Sequence, residues 1–241
     1  MRPERDQTQG FVPESHRFVA THLHDFPSAP SWILDSPELR SGDVSTILDV
    51  GCGPGTYLAS LVDTLGATSG VGVEPSPDAA ALLTEQYAGD ERLEFAVASA
   101  HSLPFDTDSF DLVVCWSVLH WVGRNEYLQA LGELVRVTRR YLVIMDFVPQ
   151  QPYRVPYAHD DQYFTYKNDF VPLILGSGIM RLERDLRWWD GHDPGTVKPL
   201  VPNDLDPFLG NELNYHARRG AIFVKDYDAL PVHHAVDFTQ R

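Results

Sequence analysis

The stretch ILDVGCGPGT, residues 47–56, joins a short apolar segment to three closely spaced glycines. Its first four residues are apolar except for Asp49, a pattern typical of a buried strand with a polar side chain near its carboxyl end. The three glycines that follow predict a sharp turn that a ligand can approach closely. Apolar residues at helical spacing then predict a helix over residues 57–65. Strand, glycine turn and helix together indicate a site for a nucleotide-type ligand.

Two common nucleotide-binding fingerprints fail in this stretch. A dinucleotide fingerprint needs a third glycine at position 56, which is occupied by Thr56. A phosphate-binding P-loop needs a lysine directly after its glycines, and the first lysine of the chain is Lys167. A nicotinamide-dependent oxidoreductase is therefore disfavoured.

The order Asp-Val-Gly-Cys-Gly-Pro-Gly at residues 49–55 resembles the first motif of the class I S-adenosylmethionine-dependent methyltransferases. Residues 103–115 resemble the fourth strand of that family and its approach. The resemblance is strong over about residues 45–147 and weak over 179–226. It implies an α/β fold: a Rossmann-like, seven-stranded, mostly parallel sheet with an antiparallel terminal strand, helices on both faces and an N-terminal helical lid.

The same resemblance implies a single methyltransferase domain over residues 1–241. Its expected parts are a helical lid (1–40), a cofactor-binding core (41–148), a substrate-side loop and helix (149–178), and a terminal strand pair with a long connection (179–241). In relatives the lid folds over the cofactor. The aromatic side chains Phe18 and Trp32 are candidates for covering the cofactor in this way. Alternatively, they only pack this segment on the sheet.

The expected cofactor is S-adenosylmethionine. Glu74 ends a short apolar segment, and a carboxylate at such a strand end can accept hydrogen bonds from both ribose hydroxyls. The family commonly carries an acid where this chain has Ser99, so the adenine contact departs from the family pattern. The cofactor-binding residues that the resemblance implies are Asp49, Gly51, Cys52, Gly53, Gly55, Glu74, Pro75, Ser99, Ala100, Cys115 and Trp116.

His120 follows the fourth strand, where the family joins its cofactor and substrate sites. It is the titratable group of this segment with a pKa useful near neutrality, so it is the candidate general base. The alternative is that it packs the start of a helix against the cofactor. Beyond the core, tyrosines alternate with cations in a proline-rich segment that suits a polar, anionic acceptor, although ordinary packing explains any one of them equally well. The candidate substrate-binding residues are Tyr153, Arg154, Tyr157, Tyr166 and Lys167.

Composition narrows the possible partners. A formal net charge of −15 argues against nucleic acid and anionic membranes, because binding to phosphates needs a basic surface. Two cysteines in apolar strand-end contexts favour a reducing compartment. The polar N-terminus resembles no signal peptide, and no apolar run reaches the roughly 18 residues of a membrane span. A cytoplasmic protein without a metal site is expected, and its oligomeric state stays open.

The sequence thus predicts an enzyme that moves a methyl group from S-adenosylmethionine to an oxygen or nitrogen atom of a small polar molecule. Two alternatives remain. One is an enzyme that cleaves or cyclises with the same cofactor, as a lyase or cyclase, and the other is a non-catalytic cofactor-binding partner protein.

Overall fold

The structure is a computed structural model that describes residues 31–41, 43–149, 151–157, 160–189 and 217–230. The strands in this part of the chain are β1 Thr46–Val50, β2 Ser69–Glu74, β3 Leu93–Val97, β4 Phe110–Trp116, β5 Thr138–Phe147, β6 Tyr153–Tyr157, β7 Asp160–Lys167, β8 Met180–Trp189 and β9 Ala217–Lys225. The helices are α1 Ser31–Leu34, α2 Pro37–Arg40, α3 Thr56–Leu65, α4 Pro77–Gln86, α5 Tyr127–Val137 and α6 Val171–Leu175, and Leu119–Trp121 forms a 3-10 turn.

Seven of these strands form one sheet in the order β3-β2-β1-β4-β5-β9-β8. Strands β1 to β5 run parallel to one another, and β9 runs antiparallel to both β5 and β8. This confirms the predicted Rossmann-like sheet with its antiparallel terminal strand. The strand order reverses between β1 and β4, and in open α/β sheets the crevice at such a point binds the ligand.

Successive apolar side chains of the central strands point to opposite faces of the sheet and form a core on each face. Leu48 and Val113 pack in one apolar cluster with Leu134 of α5. Ile47 lies on the opposite face, where it belongs to a second cluster with Leu58 of α3. Because successive strand residues point to opposite faces, a parallel strand buried on both sides needs a near-continuous apolar sequence. Helices therefore cover both faces, as predicted.

Strands β6 and β7 lie in the segment 149–178, predicted to be a loop followed by a helix, so the loop prediction is wrong for the residues of these two strands. Strands β6 and β7 pair antiparallel, and the register shifts between Pro156 and Tyr157. The prolines of the segment suggested a loop, but a two-stranded hairpin has free edges on which a proline without an N–H group is tolerated. The aromatic residues that alternate along the segment are good strand formers.

Trp32 of α1 packs on the sheet. Its side chain is buried, and its ring centroid lies 6.0 Å from those of Trp116 and Trp188. A Cβ atom at Gly220 would collide with the Trp32 ring, so the glycine permits this close approach. Phe18 and the other residues of the predicted lid up to residue 30 lie outside the described residues.

Three further properties concern the described part of the chain. No helix in it is long and apolar enough to cross a membrane. No group of histidine, cysteine and acidic side chains in it could hold a metal ion. Both cysteines of the chain, Cys52 and Cys115, lie in it as buried free thiols.

Candidate active site

The glycine turn between β1 and α3 is held tightly against its surroundings. Gly51 has a left-handed backbone (φ 71°), and its N–H group donates to the carbonyl of Val73 over 2.8 Å. A Cβ atom at Gly51 would collide with the side chain of Val118, in the segment that follows β4. The first glycine is therefore needed both for its φ angle and for this contact. The contact joins the glycine turn to the segment that carries His120.

Glu74, the last residue of β2, ties the neighbouring strand to this turn. Its side chain is buried, and its Oε1 atom accepts a hydrogen bond of 2.6 Å from the N–H group of Gly53. A short hydrogen bond from an amide to a carboxylate is stronger than one between neutral groups. The carboxylate is thereby held beside the glycine turn at the carboxyl edge of the sheet.

Asp49 lies next to Glu74 and is equally buried. Its Oδ2 atom has no hydrogen-bond partner among the described residues. Burial, followed by the negative charge of Glu74, raises the pKa of Asp49 from 3.8 to about 7. Two carboxylates therefore share one low-dielectric pocket, and a cationic ligand would relieve their repulsion.

The other predicted cofactor residues lie at the carboxyl ends of β1 to β4. Burial raises the pKa of the Cys52 and Cys115 thiols, so both are inert packing groups. The carbonyl of half-buried Ser99 accepts the N–H of Ser102 at 2.9 Å. Pro75 is exposed, Ala100 is buried, and the ring of Trp116 lies 5.2 Å from that of Tyr57. The structure thus gathers these predicted residues along one edge of the sheet.

His120 lies in the 3-10 turn and is buried. Its Nδ1 atom is 2.8 Å from Oδ1 of Asp146, and its backbone N–H donates to Oδ2 of Asp146 over 3.2 Å. The imidazole also meets the ring of Phe147 edge-on, with 4.8 Å between centroids. Burial lowers the pKa of His120 below its usual value, and the opposing effect of Asp146 does not overcome it. At neutral pH the imidazole is therefore uncharged.

Two cations share the ring of Phe147 beside His120. Lys167 Nζ lies 3.7 Å from the ring centroid, and Arg218 Cζ lies 3.8 Å from it. Arg218 also donates from a guanidinium nitrogen to Oγ of Ser117 over 3.0 Å, at a residue with a left-handed backbone (φ 56°). Both positive charges contribute to the lowered pKa of His120.

Sequence reasoning missed Asp146 and Arg218. Asp146 could have been found, because it stands near the carboxyl end of β5 as Asp49 and Glu74 do in β1 and β2. Arg218 carried no local signal, because only the antiparallel pairing of β9 places it opposite Phe147.

The predicted substrate residues lie on different faces of the β6-β7 hairpin. Tyr153 lies opposite Lys167, whose side chain is buried. Arg154 lies opposite Tyr166 on the other face, where it is exposed and its guanidinium stacks over the ring of Phe164 at 4.5 Å. The side chain of Tyr157 lies outside the described residues. The structure brings Lys167 to His120 and directs Arg154 elsewhere.

Comparison with known proteins agrees with this geometry. Residues 47–140 match the model of a family described as "Methyltransferase domain". The matched segment runs from β1 to β5 and holds the glycine turn, Glu74 and His120. This segment is therefore a methyltransferase domain, and the chain is similar to the class I S-adenosylmethionine-dependent methyltransferases. The cofactor of this family is S-adenosylmethionine.

Curated relatives of this chain include a demethylmenaquinone methyltransferase of Oceanobacillus iheyensis, 28% identical over 68% of each chain. A 2-ketoarginine methyltransferase of Streptomyces arginensis is 26% identical over 80% of this chain and 54% of its own. A Mycobacterium marinum methyltransferase is 36% identical over 53% of this chain and 48% of its own. The chain spans from about a third to two thirds of the length of the first curated relatives that it matches.

Solved structures share the fold at low sequence identity. A S-adenosylmethionine-dependent methyltransferase from Methanosarcina mazei superposes with a TM-score of 0.58 at 17% identity, covering 79% of this chain and 97% of its own. The [4+2]-cyclase SpnF gives a TM-score of 0.61 at 15% identity, covering 93% of this chain and 98% of its own.

The Asp49–Glu74 pair leads to a prediction about stability and pH. The folded-state pKa of Asp49 is raised, so its stabilising proton is fully bound below pH 3.8 and is lost as the pH rises through about 7. Asp49→Asn mimics the protonated acid. We expect it to raise the melting temperature of the cofactor-free protein at pH 8 by several degrees and to weaken binding of S-adenosylmethionine.

The measurement is thermal unfolding between pH 4 and 8, with and without cofactor. Asp78→Asn, which changes an exposed acid at the start of α4, is the matched control and should leave both curves in place. Equal melting temperatures of the wild type and Asp49→Asn at pH 8 would show that the buried carboxylate does not destabilise the folded protein.

The two faces of the hairpin lead to a second prediction. Lys167→Met should raise the KM for the acceptor, because Lys167 lies beside His120, whereas Arg154→Ala should leave the KM nearly unchanged. Steady-state kinetics of both variants with one acceptor measures the difference. An equal rise in the KM of both variants would indicate that the acceptor contacts both faces of the hairpin.

Proposed function

We propose that this protein transfers a methyl group from S-adenosylmethionine to an oxygen or nitrogen atom of a small polar molecule. The observation that carries the proposal is the contact between Gly51 and Val118, which brings the segment of His120 against the glycine turn. This contact supports a site in which the cofactor and a candidate base lie side by side.

The residues present fit the cofactor. The cofactor supplies a methyl group on a positively charged sulfur atom. The buried pair Asp49 and Glu74, with the orphaned Oδ2 atom of Asp49, provides negative charge for such a cation. Glu74 would hold the ribose hydroxyls, and the glycine turn would accommodate the methionine part, where no side chain blocks its approach.

The main catalytic contribution of the protein is the alignment of the reactants. Holding two reactants in a near-attack geometry supplies roughly 7 to 11 kcal/mol of barrier lowering. A hydroxyl or ammonium acceptor must also lose a proton, and a positioned base accelerates such a step by about 100- to 10,000-fold. His120 is neutral and can accept this proton at Nε2 as the bond between the acceptor atom and the methyl carbon forms.

The acceptor is a small molecule in this proposal. The formal net charge of −15 disfavours nucleic acid, and two relatives are named for demethylmenaquinone and 2-ketoarginine. A second candidate function keeps the cofactor site but cleaves or cyclises instead of methylating. The similarity of the fold to SpnF, described as a [4+2]-cyclase, is the observation that favours this candidate. A non-catalytic partner protein is the third possibility.

One experiment separates these functions. The purified protein is incubated with S-adenosylmethionine and a panel of phenols, hydroxy acids and amines, and the products are analysed by mass spectrometry. An acceptor that gains one methyl group together with formation of S-adenosylhomocysteine supports the proposal. Cofactor cleavage or acceptor cyclisation without methylation supports the second candidate. Cofactor binding without any turnover across the panel supports the third.

A further inference from the structure

The carboxylate of Asp146 contacts the 3-10 turn at two points. Its Oδ1 atom lies 2.8 Å from His120 Nδ1 and accepts the N–H of Phe147 over 2.7 Å. Its Oδ2 atom accepts the backbone N–H of His120 over 3.2 Å. All three groups are buried, so no solvent competes for these hydrogen bonds. The imidazole and its own backbone are therefore fixed by one side chain.

This geometry determines which nitrogen of the imidazole carries the proton. Burial acts to raise the pKa of Asp146, but the His120 imidazole, the N–H of Phe147 and the charge of Arg218 together keep it below the usual value. The carboxylate is thus ionised and can only accept hydrogen bonds. The hydrogen must lie on Nδ1, which leaves the lone pair on Nε2. The described residues form no hydrogen bond to Nε2.

We propose that Asp146 is a positioning residue that fixes the Nδ1–H tautomer of His120 and so presents the Nε2 lone pair to the methyl acceptor. The inference rests on the proposed function, in which His120 takes the acceptor proton. The acceptor atom would lose its hydrogen to Nε2 and form a bond to the methyl carbon, while the bond between that carbon and the cofactor sulfur breaks and leaves S-adenosylhomocysteine. Nδ1 would keep its hydrogen bond to Asp146. The negative charge of Asp146 then stabilises the imidazolium that is formed.

The charged groups around His120 come from three strands. Burial is the main cause that lowers the pKa of the imidazole, Asp146 of β5 raises it, and Lys167 of β7 and Arg218 of β9 lower it further. The two cations and the imidazole all contact the ring of Phe147. Burial and the two positive charges favour the neutral imidazole, and Asp146 is the group that favours its charged form. Loss of Asp146 should therefore affect both the tautomer and the pKa.

Nitrogen NMR of the wild-type protein tests the tautomer without any acceptor. With uniformly labelled histidine, the His120 signals are assigned by their loss in His120→Asn. The proposal expects a protonated Nδ1 and an unprotonated Nε2 at pH 7.5. A protonated Nε2 in the wild-type protein overturns the proposal, whatever the variants do.

Kinetics of Asp146→Asn then tests the role in catalysis. The near-isosteric amide removes the negative charge, so kcat should fall by about 10- to 100-fold, part of what a general base supplies. The acid limb of the kcat profile should also move to lower pH, because the group that raises the pKa of His120 is lost. The affinity for S-adenosylhomocysteine should not change. An unchanged pH profile makes Asp146 merely structural and overturns the proposal.

Asp146→Ala provides the second variant if the amide distorts the turn. It removes the hydrogen bond between Asp146 and Nδ1, so the Nε2–H tautomer should become populated in the NMR spectrum. Failure of the proposed function is recognised separately. If His120→Asn methylated an acceptor at the wild-type rate, His120 would not be the general base, and the NMR spectrum would still report its tautomer. The Nδ1–H tautomer, together with the expected falls in kcat of Asp146→Asn and His120→Asn, supports both the proposed function and this inference.

Discussion

Replacing Glu74 by alanine should weaken the binding of S-adenosylhomocysteine by roughly 100-fold or more. The buried carboxylate accepts the N–H of Gly53 over 2.6 Å and stands where the ribose hydroxyls of the cofactor are expected. A hydrogen bond to a charged group contributes about 1.5 to 3 kcal/mol, and two such bonds to the ribose would be lost. The N–H of Gly53 would also lose its acceptor, so the glycine turn itself would loosen. Calorimetric titration with S-adenosylhomocysteine measures the change.

Two variants control for this effect. Glu94→Ala removes an exposed carboxylate from the adjacent strand β3 and should leave the affinity unchanged. Glu74→Gln keeps the side-chain length and an acceptor oxygen, so it should lose less affinity than Glu74→Ala. Far-ultraviolet circular dichroism of each variant verifies the fold. If folded Glu74→Ala bound S-adenosylhomocysteine with wild-type affinity, Glu74 would not be a ribose-binding residue.

The central sheet could be predicted because its signals are local. A buried parallel strand needs a continuous apolar run, and a glycine turn needs its glycines within a few positions, so residues 47–56 define both. The carboxyl ends of β1 and β2 carry Asp49 and Glu74, which the parallel register places on adjacent strands. Nothing beyond the sequence was needed to expect these two carboxylates together.

Features that depend on contacts between distant segments could not be predicted. His120 and Asp146 are 26 positions apart and meet because β4 and β5 are neighbours. Arg218 reaches the same place from the antiparallel strand β9, whose register no local pattern fixes. The β6-β7 hairpin was misread because its prolines resemble loop residues, although an edge position tolerates them.

Replacing His120 by asparagine should lower kcat by about 100- to 10,000-fold and leave the affinity for S-adenosylhomocysteine unchanged. The amide nitrogen of asparagine can take the place of Nδ1 and donate to Asp146, so the packing of the turn is largely kept. What disappears is the Nε2 lone pair, and with it the roughly 100- to 10,000-fold contribution of a general base. Steady-state kinetics with an acceptor from the mass-spectrometric panel measures the loss.

The pH dependence of the wild-type enzyme provides the matching test. Burial lowers the pKa of His120 below 6.5, so the neutral imidazole, which can accept a proton, dominates at pH 7 and above. The kcat should therefore be level near neutrality and should fall only as the pH drops through the lowered pKa, where the imidazole gains its proton. This acid limb should be absent in His120→Asn. A variant with wild-type kcat and the same acid limb would show that His120 only packs against Phe147, and alignment of the reactants would then account for the whole rate.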